Sequence, residues 1–245
     1  HVTKDGSIAG PRLLEHLVDV VLSFEGDRHS TLRLVRATKN RFGPTDEVGC
    51  FELTDGGITG LPDPSGLFLA HHTEPVAGTC VTVALEGRRP LVAEVQALVT
   101  PTSQGNPRRT NSGLDAARIA MVIAVLTRRA RLPLMGAEIF AATVGGVQLR
   151  EPAADLAAAL ALASACIDRP LPTGLVAIGE LGLAGEVRSV SGIERRMAEA
   201  ARLGFTKALV PQFNGRVPDG LQARQVTDVH DALRTLLNVA SPAPG

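Results

Sequence analysis

The clearest chemistry in this 245-residue sequence is cationic. Thr38-Lys39-Asn40-Arg41-Phe42-Gly43 sets Lys39 and Arg41 two residues apart on a short loop that Gly43-Pro44 closes. From Arg28 to Thr45 there are five Lys or Arg residues and no Asp or Glu. A lysine ammonium is a compact point charge and an arginine guanidinium a planar fork, and both suit phosphate oxygens. Folding gains little from a strand pair that exposes only cations, which leaves a role outside folding as one reading of the loop. The alternative is a solvated turn with Phe42 tucked into the core.

A second cationic stretch runs from Arg88 to Arg131, with eight basic residues against two acids, Glu94 and Asp115. Arg108 and Arg109 fall in a loop, and Arg118, Arg128, Arg129 and Arg131 on a helix, clustered toward its C-terminal half. The residues Arg108, Arg109, Arg118, Arg128 and Arg129 are the candidates for a sequence-independent, salt-sensitive nucleic-acid track. Solvated faces and surface salt bridges are the alternative. The formal net charge is zero, so any such contact is local and does not come from overall charge.

Nucleophilic chemistry has less material. The lysines are Lys4, Lys39 and Lys207, and Lys207 directly precedes a strand. Ser164 lies inside an Ala-rich helix, where its hydroxyl is expected to bond back to a carbonyl. Cys50, Cys80 and Cys166 are odd in number and widely spaced, which argues against a zinc site or a disulfide framework and for a reducing cytoplasm. No metal site is expected. No G-x-x-x-x-G-K-[ST] phosphate loop occurs. No apolar run approaches membrane-spanning length and no signal peptide is visible.

Around these residues the pattern predicts a mixed α/β chain. There is no Trp or Tyr and only seven Phe, so the core must be Ala, Val, Leu and Ile. Val18–Phe24 reads as a strand buried on both faces, Thr31–Thr38 and Glu47–Leu53 as strands flanking the basic loop, and Asp55-Gly56-Gly57 as a hairpin turn. A short helical run is expected over Arg12–His16. Leu61 to Ala77 reads as a linker. Strands follow at Gly78–Leu85, Leu91–Thr100, Glu138–Thr143, Gly174–Ile178 and Ala208–Val210, with a Gly-broken hairpin over Leu181–Val190. Helices are expected over Leu114–Arg131, from Pro152 to about Ile167, from a capping box at Ser191-Gly192-Ile193-Glu194 to Leu203, and over Asp228–Leu237. Tail residues 241–245 are expected to be floppy. The chain starts inside what reads as a strand end and is expected to be a fragment.

Lys39-Asn40-Arg41-Phe42-Gly43 resembles the signature pentapeptide of the bacterial RadA (Sms) DNA-repair family, and His1 to Pro11 looks like the end of that family's RecA-like ATPase core, which implies that Lys4 stands on a loop facing DNA, an exposed turn lysine being the alternative. Gly185 to Glu194 resembles the G-x-V-x-x-x-G-G-L-K segment of Lon-type proteases, and Glu151-Pro152-Ala153-Ala154-Asp155 the segment that carries Lon's catalytic serine. The resemblance implies a RecA-core tail with the signature loop over 1–61, a linker over 62–77, a Lon-like domain over 78–238 and a tail over 239–245. It further implies ATP and magnesium in the full-length protein, zinc in an upstream region, and no cofactor in this fragment. The parent would be an ATP hydrolase driving branch migration in the cytoplasm. Single-stranded or branched DNA, a RecA-type recombinase and a homo-hexamer are the implied partners. At the Lon dyad positions stand Ala154 and Glu194, so no working Ser–Lys peptidase is expected, a glutamate there being better suited to capping. An active peptidase and a protein-interaction module are the alternatives.

Overall fold

The computed structural model describes residues 15–26, 31–70, 74–102 and 107–237. The expected strand end at His1–Thr3, Lys4, most of the helical run at 12–16 and the tail lie outside the described residues. The chain divides into two compact units. One comprises residues 1–64 with 86–89, and the other residues 65–85 with 90–245.

The first unit is a four-stranded antiparallel meander in the order β1-β2-β3-β4. Its strands are β1 (Val20–Glu25), β2 (Leu32–Asn40), β3 (Val48–Thr54) and β4 (Gly57–Gly60). The turn between β3 and β4 falls at Asp55-Gly56, as the Asp-Gly pair predicts. Pleating puts Leu32, Val48 and Cys50 on a buried side. β1 corrects the sequence reading. Among the described residues it is an edge strand and is not buried on both faces: Leu22 is 56% and Phe24 65% exposed. The cations of β2 are not uniformly exposed either. Arg36 donates to Glu86 at 2.6 Å, which raises its already high pKa, and forms an ion pair with Glu25 at 3.0 Å.

The second unit is built on a seven-stranded mixed sheet in the order β13-β12-β9-β5-β6-β8-β7. The strands are β5 (Thr79–Glu86), β6 (Arg89–Pro101), β7 (Arg109–Ser112), β8 (Ala137–Thr143), β9 (Leu175–Ala177), β12 (Lys207–Val210) and β13 (Gln222–Gln225). A separate two-stranded ribbon holds β10 (Glu180–Leu181) and β11 (Val187–Arg188), the expected Gly-broken hairpin. β7 and β13 were not anticipated; each is four residues long and polar, with no apolar alternation to announce it. The stretch read as a linker contains Phe68, which is fully buried in this unit.

Helices α1 (Ala116–Arg128), α2 (Asp155–Ile167), α3 (Ile193–Arg202) and α4 (Val229–Leu237) complete the unit. α1 starts where the Asp115 side chain accepts a bond from the Arg118 amide, and it buries Ile119, Val122, Ile123 and Leu126, as their spacing predicts. α2 has no polar face to turn outward, so it is interior along its first ten residues and contacts both α1 and α4. α3 closes a core with Val83, Val92, Val176, Ile178 and Val210 through Met197 and Ala200.

Candidate functional site

The basic loop is organised by Asn40, the last residue of β2. Its side-chain oxygen accepts from the Phe42 amide at 3.0 Å, and its side-chain nitrogen donates to the Pro44 carbonyl at 3.2 Å. An asparagine that bonds the backbone two residues on makes an Asx-turn, a local substitute for a backbone turn. The polypeptide therefore folds back on itself without burying any side chain of the turn. Phe42 is 81% exposed, which corrects the alternative of a core phenylalanine. Gly43 follows, also exposed.

Both loop cations are held by one segment. The Lys39 ammonium donates to the Glu15 carbonyl at 2.6 Å, and the Arg41 guanidinium to the Asp19 carboxylate at 3.0 Å. The Arg41 amide also donates to the Asp19 carbonyl at 3.0 Å. The Arg41–Asp19 pair is open to solvent on both sides, so water and ions compete for it freely. The result is a solvent-facing surface of ammonium, guanidinium and aromatic ring, suited to phosphate and to stacking on a base.

In the second unit the candidate arginines separate. Arg108, Arg109, Arg128 and Arg129 are exposed, with Arg109 touching the Met135 sulfur at 3.8 Å. Arg118 does not belong with Arg128 and Arg129. It sits in the first turn of α1, and its fork grips Asp155, through Nε to Oδ1 at 2.8 Å and Nη2 to Oδ2. Asp155 is buried and also accepts from the Leu181 amide at 3.2 Å. Burial pushes the Asp155 carboxyl above its ordinary range, against the pull of Arg118 and the Leu181 amide. Arg118 is itself raised by the Asp155 bond.

Ala154, expected at one of the two dyad-like positions, is buried at the entry to α2. The capping box at Ser191 is corrected. The residue preceding α3 is Gly192 in the left-handed region, φ 67°, with no side-chain cap. Glu194 instead accepts from the Arg216 amide at 2.9 Å, bracing a neighbouring loop. Ser164 is fully buried. Its hydroxyl donates to the Arg169 carbonyl at 2.6 Å and accepts from the Gly78 amide at 2.9 Å, so it ties the chain beyond α2 rather than bonding back along it.

Beside Ala154 lies a residue pair that sequence reasoning missed. Arg196, 1% exposed, clamps Glu151 with bonds of 2.6 and 2.7 Å and also donates to the carbonyls of Val83 and Ser191. Glu151 accepts in addition from the Leu85 amide at 2.7 Å. The Ala153-Ala154 segment thus runs between two arginine–carboxylate clamps, a bracing arrangement. Among the described residues no cluster of His, Cys, Asp or Glu could hold a metal ion, and no helix is long and apolar enough to cross a membrane.

Residues 146–214 match the family described as subunit ChlI of Mg-chelatase. DNA repair protein RadA of Mycobacterium tuberculosis strain H37Rv is 58% identical over 240 residues, covering 98% of this chain and 50% of that protein. The RadA proteins of Mycolicibacterium smegmatis and Bacillus subtilis are 56% and 49% identical over the same length. The chain spans about half the length of the curated relatives it matches. Over nearly all of its own length, the chain is therefore homologous to proteins named DNA repair protein RadA, matching about half the length of each.

Proposed function

We propose that this chain is part of an ATP-driven motor that moves branch points of recombination intermediates during DNA repair. The observation that carries the reading is the 58% identity to proteins named DNA repair protein RadA, over a match that covers 98% of the chain. Lys39 and Arg41 would contact phosphate, either on a nucleotide bound by a neighbouring subunit or on the DNA backbone. Phe42 stands beside them, free to stack.

The chain itself offers no phosphate-binding P-loop, so ATP, magnesium and the hydrolytic step would belong to the remainder of the full-length protein, as would the zinc that the family resemblance implies. The second unit, read as a Lon-like domain, would serve assembly into a homo-hexamer and would carry a DNA track through Arg108, Arg109, Arg128 and Arg129. Arg118 drops out of that track because its fork is committed to Asp155. Alanine at position 154 supports a domain kept for architecture and not for peptide cleavage.

The test is branch migration by the full-length protein carrying Lys39→Ala or Arg41→Ala. Each change is expected to slow migration about tenfold or more, the equivalent of the roughly 1.5–3 kcal/mol of a charged hydrogen bond. Wild-type rates in both variants would overturn the role given to the loop.

A further inference from the structure

Lys39 and Arg41 do not stand free in the folded chain. Glu15 and Asp19, only four residues apart, hold one cation each: the first through its carbonyl, the second through its carboxylate. The two tethers differ in kind. A carbonyl is a neutral acceptor and leaves the ammonium charge uncancelled. The Asp19 carboxylate is an anion in the place where a phosphate oxygen would sit, at 3.0 Å from Arg41 Nη1. It is also aligned independently of its charge, because the Arg41 amide bonds the Asp19 carbonyl at 3.0 Å. The backbone bond keeps Asp19 and Arg41 together whether or not the side chains are engaged.

We propose that Asp19 is a positioning residue that occupies the Arg41 guanidinium until a phosphate group takes its place. The inference rests on the reading of the basic loop as a phosphate contact. In the exchange no covalent bond changes: the guanidinium leaves a carboxylate oxygen and turns to a phosphate oxygen. The Asx-turn at Asn40 and the backbone bond to Asp19 hold the loop fixed meanwhile. Asp19 therefore does two opposing things. It keeps Arg41 extended and aimed, and it competes with the ligand. An exposed pair is cheap to break, on the order of a two- to fivefold effect on affinity, so the exchange costs little when a phosphate arrives.

Asp19→Asn separates the two effects, because the amide keeps an acceptor oxygen and the backbone bond but removes the competing charge. The measurements use the full-length protein. One is equilibrium binding of a fluorescent oligo(dT) without nucleotide; the other is KM and kcat for ATP at saturating oligo(dT). Asp19→Asn is expected to lower either the oligonucleotide Kd or the KM for ATP by about two- to fivefold. The parameter that moves identifies the source of the phosphate, DNA backbone or nucleotide. The gain is expected to vanish in the Arg41→Ala background, where there is no guanidinium to release. Asp19→Ser is expected to move the same parameter in the same direction, and covers a failure of the first variant to fold.

If Arg41→Ala impairs binding or turnover but the Asp19 variants leave both unchanged, the exchange is wrong and the phosphate reading stands. If the Asp19 variants weaken both, with the same loss in the Arg41→Ala background, Asp19 is structural only and the inference is overturned. If Arg41→Ala itself changes nothing, the reading of the loop has failed, and the inference with it.

Discussion

At the scale of single residues, the loop owes its form to Asn40 more than to its cations. Its two side-chain bonds reach the Phe42 amide and the Pro44 carbonyl and close the turn from within, while the Arg41 amide ties it to the Asp19 carbonyl. Asn40→Ala removes both. Each bond contributes about 1 kcal/mol net, so global stability should fall by no more than about 2 kcal/mol. The sharper readout is local: protection of the Phe42 amide against hydrogen exchange should be lost while that of β2 and β3 is kept. Retained protection at Phe42 would show that the turn is held by something other than this side chain. The types and spacing of Lys39 and Arg41 were legible in the sequence. Their tethers were not, because Glu15 and Asp19 are 24 and 22 positions away and meet them only across the β1–β2 pairing. Arg196 and Glu151 were invisible for the same reason. They are 45 residues apart, and nothing in local pattern selects that partner.

At the scale of elements, periodicity was informative where an element buries one side and misleading where burial depends on neighbours. α1 shows its stripe, and it lies where Ile119, Val122, Ile123 and Leu126 said it would. α2 was readable as interior because it is apolar all round. β1 has the same apolar look, yet it is an edge with Leu22 and Phe24 open to solvent. A run of apolar residues states a preference, and only the sheet order decides whether it is met. Phe24→Glu should therefore shift unfolding of this chain by no more than about 0.5 kcal/mol, measured by urea titration. A loss of several kcal/mol would mean that the strand is covered.

The Arg196 clamp makes the opposite prediction. Arg196→Met leaves the Glu151 carboxylate without its fork and should cost about 3–5 kcal/mol. Adding Glu151→Gln should recover part of that loss, because the uncompensated charge then disappears. A double variant as unstable as the sum of the two singles would exclude coupling between the residues. This clamp accounts for the defined shape of the segment around Ala154.

At the scale of the whole molecule, the charge balance decides how nucleic-acid contact can arise. With 25 basic and 25 acidic residues there is no global field to gather DNA. Many of the arginines are also committed, Arg36 to Glu25 and Glu86, Arg118 to Asp155, Arg196 to Glu151 and Arg188 to Glu186. Counting basic residues along the sequence therefore overstates the cationic surface, and the error is largest where a partner carboxylate lies far away in sequence.

The exposed arginines make the proposed track quantitative. Every phosphate neutralised on a single strand releases condensed counterions and contributes about 0.7 to the slope of log K against log salt concentration. Arg128→Gln with Arg129→Gln should therefore shallow the slope for oligo(dT) by up to about 1.4, with little preference among sequences. Arg118→Gln should leave the slope unchanged and instead lower stability, because its fork is committed to a buried carboxylate. Titrations between low and moderate salt with the three proteins would separate the roles. An unchanged slope in the Arg128/Arg129 variant removes those residues from the track, and a shallower slope for Arg118→Gln at unchanged stability would put Arg118 back on it.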